Sequence, residues 1–442
     1  MKSNLKPVLA ALLLLVSLAP CSAQGTKDDL FTLYSGAKAH DPSVGRAQAQ
    51  LEESKADTDI SLSQLMPRVD ANASINWVSS TTLNYAVTDI TGSFTGDGYG
   101  VGVRLPIFQL PAVYGLAASR AAERAAKLTL QASRQDLIIQ VAELYFQLLK
   151  ARSDEQFCRD EQKRYGQLLD QALRLQQSGA GELLAVFDAK AHLENASTEL
   201  IKALNQGAQV AQQLSTLVGR EVTEVRDLGA NLAKLAQPAD LQWWLDTQQK
   251  QHPALLHARE ELVQSDLQIK AVKAGHLPVL QATAGYTVSK GSTFLPLVET
   301  RQWYAGFNIS LPLYAGGETA ARTRRARAVE SEQGFILSAV NDQNVQKLKQ
   351  FYQELSFNTA LIAALDRKME VAQLQLAAIK TGFDLGTRTV AELLIAEQGV
   401  SYIQRDLANA GHDQALRSLS LKYAAGILTE DDLQMLNSRL AK

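Results

Sequence analysis

Between Pro67 and Phe108 the chain alternates apolar and polar residues one for one. Val69, Ala71, Ala73, Ile75 and Trp77 interleave with Asp70, Asn72, Ser74 and Asn76. A period of two sends the two sets to opposite faces of a strand. Tyr99, Val101, Val103 and Leu105 alternate the same way with Gly100, Gly102 and Arg104, and the run closes at Pro106. The pattern then returns. Leu280, Ala282, Ala284, Tyr286 and Val288 form one run, and Trp303, Ala305, Phe307, Ile309 and Leu311 the next, closing at Pro312. These spacings predict two β-hairpins, 67–108 and 278–314, with four strands of nine to twelve residues.

Elsewhere the period changes to that of helices. No proline lies between Pro111 and Pro238 or after Pro312, and Gly115–Ser178 is rich in Ala, Leu, Gln, Glu, Lys and Arg, all good helix formers. Ile138, Val141, Tyr145 and Leu148, then Tyr165, Leu168, Ala172 and Leu175, recur at spacings of three and four, as in coiled coils. Such a run makes a rod of roughly 95 Å at 1.5 Å per residue. Glu318–Thr381 predicts a second rod, interrupted only by Gly334. Each rod ends at glycines, Gly179 and Gly181 or Gly382 and Gly386, and a returning helix follows, from about Leu183 to Val218 and from Thr389 to Tyr423.

These landmarks repeat in register. Pro42 to Pro67 spans 25 positions, as does Pro253 to Pro278; Gly179 to Gly219 spans 40, as does Gly386 to Gly426. One unit of helix, hairpin, long helix, tip and returning helix has been duplicated. The expected divisions are a signal peptide (1–23), an N-terminal helical segment (24–66), the first hairpin (67–108), the first long helical hairpin (109–219), an equatorial region (220–252), the helix of the second repeat (253–277), the second hairpin (278–314), the second long helical hairpin (315–426) and a C-terminal equatorial segment (427–442). The equatorial parts, including Trp243-Trp244, are expected to pack on the outside.

Charge and composition narrow the setting. The net charge is −2 over 442 residues, so no basic footprint points to nucleic acid. Met1–Ala23 reads as a secretory signal, with Lys2 and Lys6 before the apolar run Val8–Leu18 and Cys21-Ser22-Ala23 at the cleavage site. Cys21 also opens a lipoprotein route, although Pro20 stands where such sites want a small residue. Cys158 has no cysteine partner after cleavage. No later run is apolar and long enough for a membrane helix.

In a secreted chain, hairpins joined by long rods lack a compact body on which to bury an apolar face, and lipid is the other sink. Strands of this length suit a tilted membrane barrel. Four cannot close one, and an open edge in hydrocarbon leaves backbone groups unsatisfied. Copies must therefore share a barrel, two giving eight strands and three giving twelve. Trp77, Tyr286 and Trp303 are candidate interfacial aromatics, and 78–98 and 290–301 the expected long loops.

At this point the chain resembles the TolC-like family of outer-membrane channels. The most specific match is Gly382-Phe383-Asp384-Leu385-Gly386-Thr387-Arg388-Thr389-Val390-Ala391-Glu392-Leu393-Leu394, similar to the family's second tip, with support from Gly426-Ile427-Leu428-Thr429-Glu430-Asp431-Asp432-Leu433. The resemblance implies an α+β membrane protein: a homotrimer sharing a 12-stranded transmembrane β-barrel above a long periplasmic α-helical barrel. It implies a passive exit duct of a tripartite export system, for multidrug efflux or type I protein secretion. Its partners would be a periplasmic adaptor (a membrane fusion protein), an inner-membrane pump and outer-membrane lipid, in a Gram-negative envelope. It also implies a gate at the tips. Arg388 matches an arginine that ties neighbouring tip helices, and Glu392 stands at the first acidic pore ring. Ile395 replaces the second acid, Phe383 a tyrosine of the closing network, and Leu184 and Ala185 its Thr-Asp partners. Asp188, equivalent by register to Ile395, could return an acid to the ring.

Simpler chemistry accounts for part of this. Thr389 and Glu392 form a capping box with or without a pore, whereas Arg388, one residue earlier, has no evident local partner. Gly98, Gly100 and Gly102 lack the setting of a phosphate loop and make a small-residue strand face. No zinc or hydrolase motif is present, so no metal, cofactor or enzymatic activity is expected. The rival reading is a periplasmic adaptor or scaffold with long helices and no pore; amphipathic strands in both halves argue against it.

Overall fold

The computed structural model describes residues 28–82, 90–179, 182–227, 240–290 and 299–438. The expected signal peptide, Gly181 and the centres of both strand loops lie outside the described residues. Helices α1 (Leu30–His40) and α2 (Pro42–Ser63) lead to strands β1 (Arg68–Thr82) and β2 (Ile90–Phe108). Then come α3 (Leu110–Gln177), α4 (Leu183–Val218), α5 (Leu241–Gln251) and α6 (Pro253–Lys273). Strands β3 (Val279–Lys290) and β4 (Glu299–Ser310), and helices α7 (Glu318–Asp384), α8 (Val390–Ala425) and α9 (Glu430–Asn437), complete the chain. Proline opens α2 and α6 and stands in the first turn of α3, where its missing N–H has no helical acceptor to lose. The 68-residue α3 is roughly 100 Å long.

The strands make one antiparallel sheet in the order β1-β2-β3-β4, so the two hairpins join edge to edge. Register carries the apolar positions across all four. Ala71 faces Val101, Val101 faces Tyr286, and Tyr286 faces Trp303, the last two rings 4.5 Å apart. Residues directly opposite share a side of the sheet. From Val69 to Ala73 and their partners across the sheet, one face is therefore apolar and largely solvent-exposed in the single chain, Phe307 at 75% and Trp303 at 81%, while Asp97, Lys290, Arg301 and Glu299 share that face toward the loop end. The other face carries Asn72, Gly100, Gly102, Thr287 and Gly285. The Tyr304 ring crosses Gly285, where an added Cβ would lie 2.5 Å from the phenol oxygen. Among the described residues β1 and β4 pair on one side only.

The first hairpin departs from expectation. Its strands run to 15 and 19 residues, and pairing continues without a break to Thr82 opposite Ile90. Much of the expected loop 78–98 is thus ladder. Thr81, Thr82 and Thr91 suit strand, and the loss of clean alternation beyond Trp77 had hidden it.

Below the sheet the helices stand side by side. α3 packs on α2, α4, α6 and α8, and α7 packs on α6 and α8. The core sits at mid-height, around Tyr145 and Phe146 of α3, with Leu30 and Leu33 of α1 and Leu214 of α4. The Tyr145 hydroxyl donates to the Arg226 carbonyl at 2.5 Å. Two details correct the expected outer packing of the equatorial parts. Leu433 and Leu436 of α9 belong to this core, and Trp244 is buried against Leu348 and Leu421 while Trp243 stays exposed. Gly334 does not interrupt α7. Cys158 is half-buried, its thiol pushed up by burial and by Glu161 and Asp154.

Candidate functional site: the helical tips

At the end farthest from the sheet each long helix reverses. Gly179 at φ +77° and Gly386 at φ +72° occupy the left-handed region that glycine enters without a Cβ clash. The second tip is knotted by its own backbone. The Gly382 carbonyl accepts from the Thr387 N–H at 2.8 Å, the Arg388 N–H at 3.2 Å and the Thr387 hydroxyl at 2.9 Å. A Cβ on Gly382 would lie 2.7 Å from Arg388 Cγ, so this position keeps the arginine folded against the turn.

Helix α8 then starts on a complete capping box. The Thr389 hydroxyl accepts from the Glu392 N–H at 3.2 Å, and the Glu392 carboxylate accepts from the Thr389 N–H at 2.8 Å. Arg388 Nη1 donates to the same carboxylate at 2.7 Å. The Thr389 N–H and then Arg388 hold the Glu392 carboxyl below its ordinary range. The expectation that Arg388 lacks a local partner is corrected here: one turn of helix brings Glu392 to it.

The expected tip residues fall into separate surroundings. Ala185, Asp188, Thr389 and Ile395 line one groove of about 600 Å³ between α3, α4 and α8. Phe383 is half-buried in the last turn of α7. Leu184 and Ile395 are 64% and 68% exposed.

The structure adds residues that sequence reasoning passed over. Near the top of the groove the Gln398 amide of α8 donates to the Glu161 carboxylate and, at 3.1 Å, to the Tyr165 hydroxyl, both on α3. Arg164 Nη1 donates to the Ser401 hydroxyl at 3.1 Å. Higher still, Arg405 of α8 approaches Asp154 at 3.7 Å and lies over the Phe157 ring. This polar ladder joins the first long hairpin to the second. In the sequence its members look like ordinary polar surface, because their partners are more than 230 positions away. Among the described residues no three His, Cys, Asp or Glu come together as a metal-binding group, and no helix is long and apolar enough to cross a membrane.

Comparison with known proteins fits this geometry. The model of the outer membrane efflux protein family matches twice, over 33–220 and 244–427, one match per repeat. The outer membrane protein TolC of Vibrio cholerae serotype O1 is 24% identical over 437 residues, covering 98% of each chain. The alkaline protease secretion protein AprF of Pseudomonas aeruginosa is 25% identical, over 92% of this chain and 88% of that one. The crystal structure of the Campylobacter jejuni CmeC outer membrane channel superposes with a TM-score of 0.77 at 17% identity, over 93% of this chain and 90% of that one.

Proposed function

The chain belongs to the outer membrane efflux protein family, and we propose that three copies close a single duct gated at the helical tips. It is an outer-membrane export channel reaching into the periplasm, a conduit and not an enzyme. The observation that carries the shared barrel is the sheet, whose apolar face is exposed and whose outer strands β1 and β4 pair on one side only among the described residues; the number three rests on the likeness to the family. In hydrocarbon unpaired edges cost several kcal/mol per group, so copies join edge to edge; three supply twelve strands around a lumen lined by the glycine-rich polar face.

The helices support the same closure. Each copy is a strip of wall, ordered α2-α3-α6-α7 near the sheet and α4-α3-α8-α7 toward the tips. Its margins carry unmatched apolar side chains: Phe335, Phe357 and Leu374 on α7, Leu184, Phe187 and Ile201 on α4. A second copy covers them.

In this reading the tips narrow the duct at rest. The Gln398–Glu161–Tyr165 ladder holds the second hairpin against the first, and the Gly382–Gly386 turn sets where α8 enters. Ile395 and Asp188 line the same groove, and Glu392 contributes charge near the mouth. A periplasmic adaptor from an inner-membrane pump would open the tips by separating α8 from α3. The relatives' names include an alkaline protease secretion protein and an outer membrane channel, and in this reading the duct is the passive outer-membrane member of a tripartite assembly. Planar-bilayer recording tests this: the purified protein should insert from one side and show a small, steady conductance. Absence of any conductance from correctly assembled protein overturns the duct.

A further inference from the structure

The internal duplication makes the contact between copies readable from a contact inside one copy. Within the chain, α3 of the first repeat packs on α6 of the second. The equivalent contact for α7 can only be made with α2 of the next copy.

The tip glycines Gly179 and Gly386 stand 207 positions apart, which aligns α3 with α7; Pro42 and Pro253 stand 211 apart, which aligns α2 with α6. On this alignment Ala118, Ala121 and Ala125, buried in α3, correspond to Arg325, Ala328 and Glu332 of α7, all exposed. Gln264, Leu267 and Ala271, partly covered on α6, correspond to Glu53, Ala56 and Ile60 of α2, again exposed. The covered stripes of the inner junction are the bare stripes of the outer one.

The inner junction is clasped by Arg124 of α3 and Glu260 of α6 at 2.7 Å. Their equivalents, Ser331 and Ala49, carry no charge. The two helices run antiparallel. Four positions nearer the sheet Arg327 therefore lies level with Glu53, and Arg324 lies level with Ala56, beside Asp57. Arg324, Arg325 and Arg327 are exposed, as are Glu53 and Asp57, and these five make no ion pair among the described residues of their own copy. Their neighbours behave differently, since Arg322 pairs with Glu318 and Glu52 with Lys55. Unmatched arginines at one margin and unmatched carboxylates at the other, at the same height, are complementary charges awaiting a second copy.

We propose that Arg324 and Arg327 of α7 pair with Asp57 and Glu53 of α2 in the next copy, an ionic seam just beneath the sheet that fixes the vertical register between copies. The proposal rests on the shared-wall reading above, and it locates that wall's joint. Exposed single pairs contribute little, but two per joint around a closed ring act together and weaken with salt.

The test is charge reversal on each margin. Arg324→Glu with Arg327→Glu, and separately Glu53→Lys with Asp57→Lys, set like charges across every joint. Each should lower the fraction of trimer in dilute detergent about tenfold at low salt, with recovery at high salt. All four changes together should restore assembly. Helix content by circular dichroism separates lost assembly from lost folding, and Arg324→Gln with Arg327→Gln gives a milder version if reversal unfolds the chain. Reversed variants that assemble like the unchanged protein, or a fourfold variant that folds yet fails to regain assembly, overturn the seam while the shared wall stands. An unchanged protein that stays monomeric overturns both.

Discussion

The polar ladder across α3 and α8 makes Gln398→Ala the most informative single change. Its amide gives one hydrogen bond to a carboxylate and one to a phenol, and Glu161 is only 9% exposed. A hydrogen bond to a charged acceptor contributes about 1.5–3 kcal/mol and a neutral one about 0.5–1.5 kcal/mol. Removal also leaves Glu161 short of a partner where water is scarce. Losing about 3 kcal/mol from the closed tip alone shifts its closed-to-open ratio roughly a hundredfold per copy, at about 1.4 kcal/mol per factor of ten. Single-channel recording in planar bilayers should show a larger resting conductance or frequent opening. Gln398→Glu, which sets a second carboxylate against Glu161, should open further. If Gln398→Ala folds, assembles and conducts as the unchanged protein does, the ladder does not hold the tip shut and the gating argument fails.

Three further outcomes follow from the geometry. Arg388→Ala should leave resting conductance nearly unchanged, because its observed partner Glu392 lies one turn away on the same helix end; a large increase would mean that Arg388 bridges to another helix instead. Gly426→Ala should destabilise by about 2–4 kcal/mol, read as a lower thermal midpoint, since residue 426 sits at φ +78° and an added Cβ would lie 2.4 Å from His252 Cα; an unchanged midpoint would contradict that contact. His252 should impose an acid limb on stability. Burial, then Lys347, holds its ring down to about 4 against 6.5 for a free ring, so as pH falls the unfolded chain takes up the proton first. The neutral ring's contribution is full above pH 6.5 and lost progressively toward pH 4, about 3 kcal/mol in all, and His252→Gln should flatten denaturation midpoints over that window.

Much of the architecture could be read from residue order because it depends on local periods. Val69 to Trp77 alternates without a fault, and Pro42, Pro253, Gly179 and Gly386 mark ends in both repeats. The extra strand length beyond Trp77 was less legible, since Ser79, Ser80, Thr81 and Thr82 carry no apolar alternation. At the tips the capping box was visible because its members are three residues apart. The Arg388–Glu392 pair is equally local, at the four-residue spacing of one helical turn, although the family resemblance assigns that arginine a partner on a neighbouring helix. Gln398, Glu161 and Tyr165 could not be joined by spacing: α3 and α8 belong to different repeats and meet only through the tertiary fold. The α7 arginines and α2 carboxylates are visible as charge, yet only the duplicated fold sets them at one height.

The central claim is that separate copies complete one another's sheet in lipid. Light-scattering mass of the detergent-extracted protein, corrected for bound detergent, addresses it most directly. A single species of three copies that leaves the membrane only with detergent is expected; a monomer that stays dissolved without detergent would rule out the shared barrel.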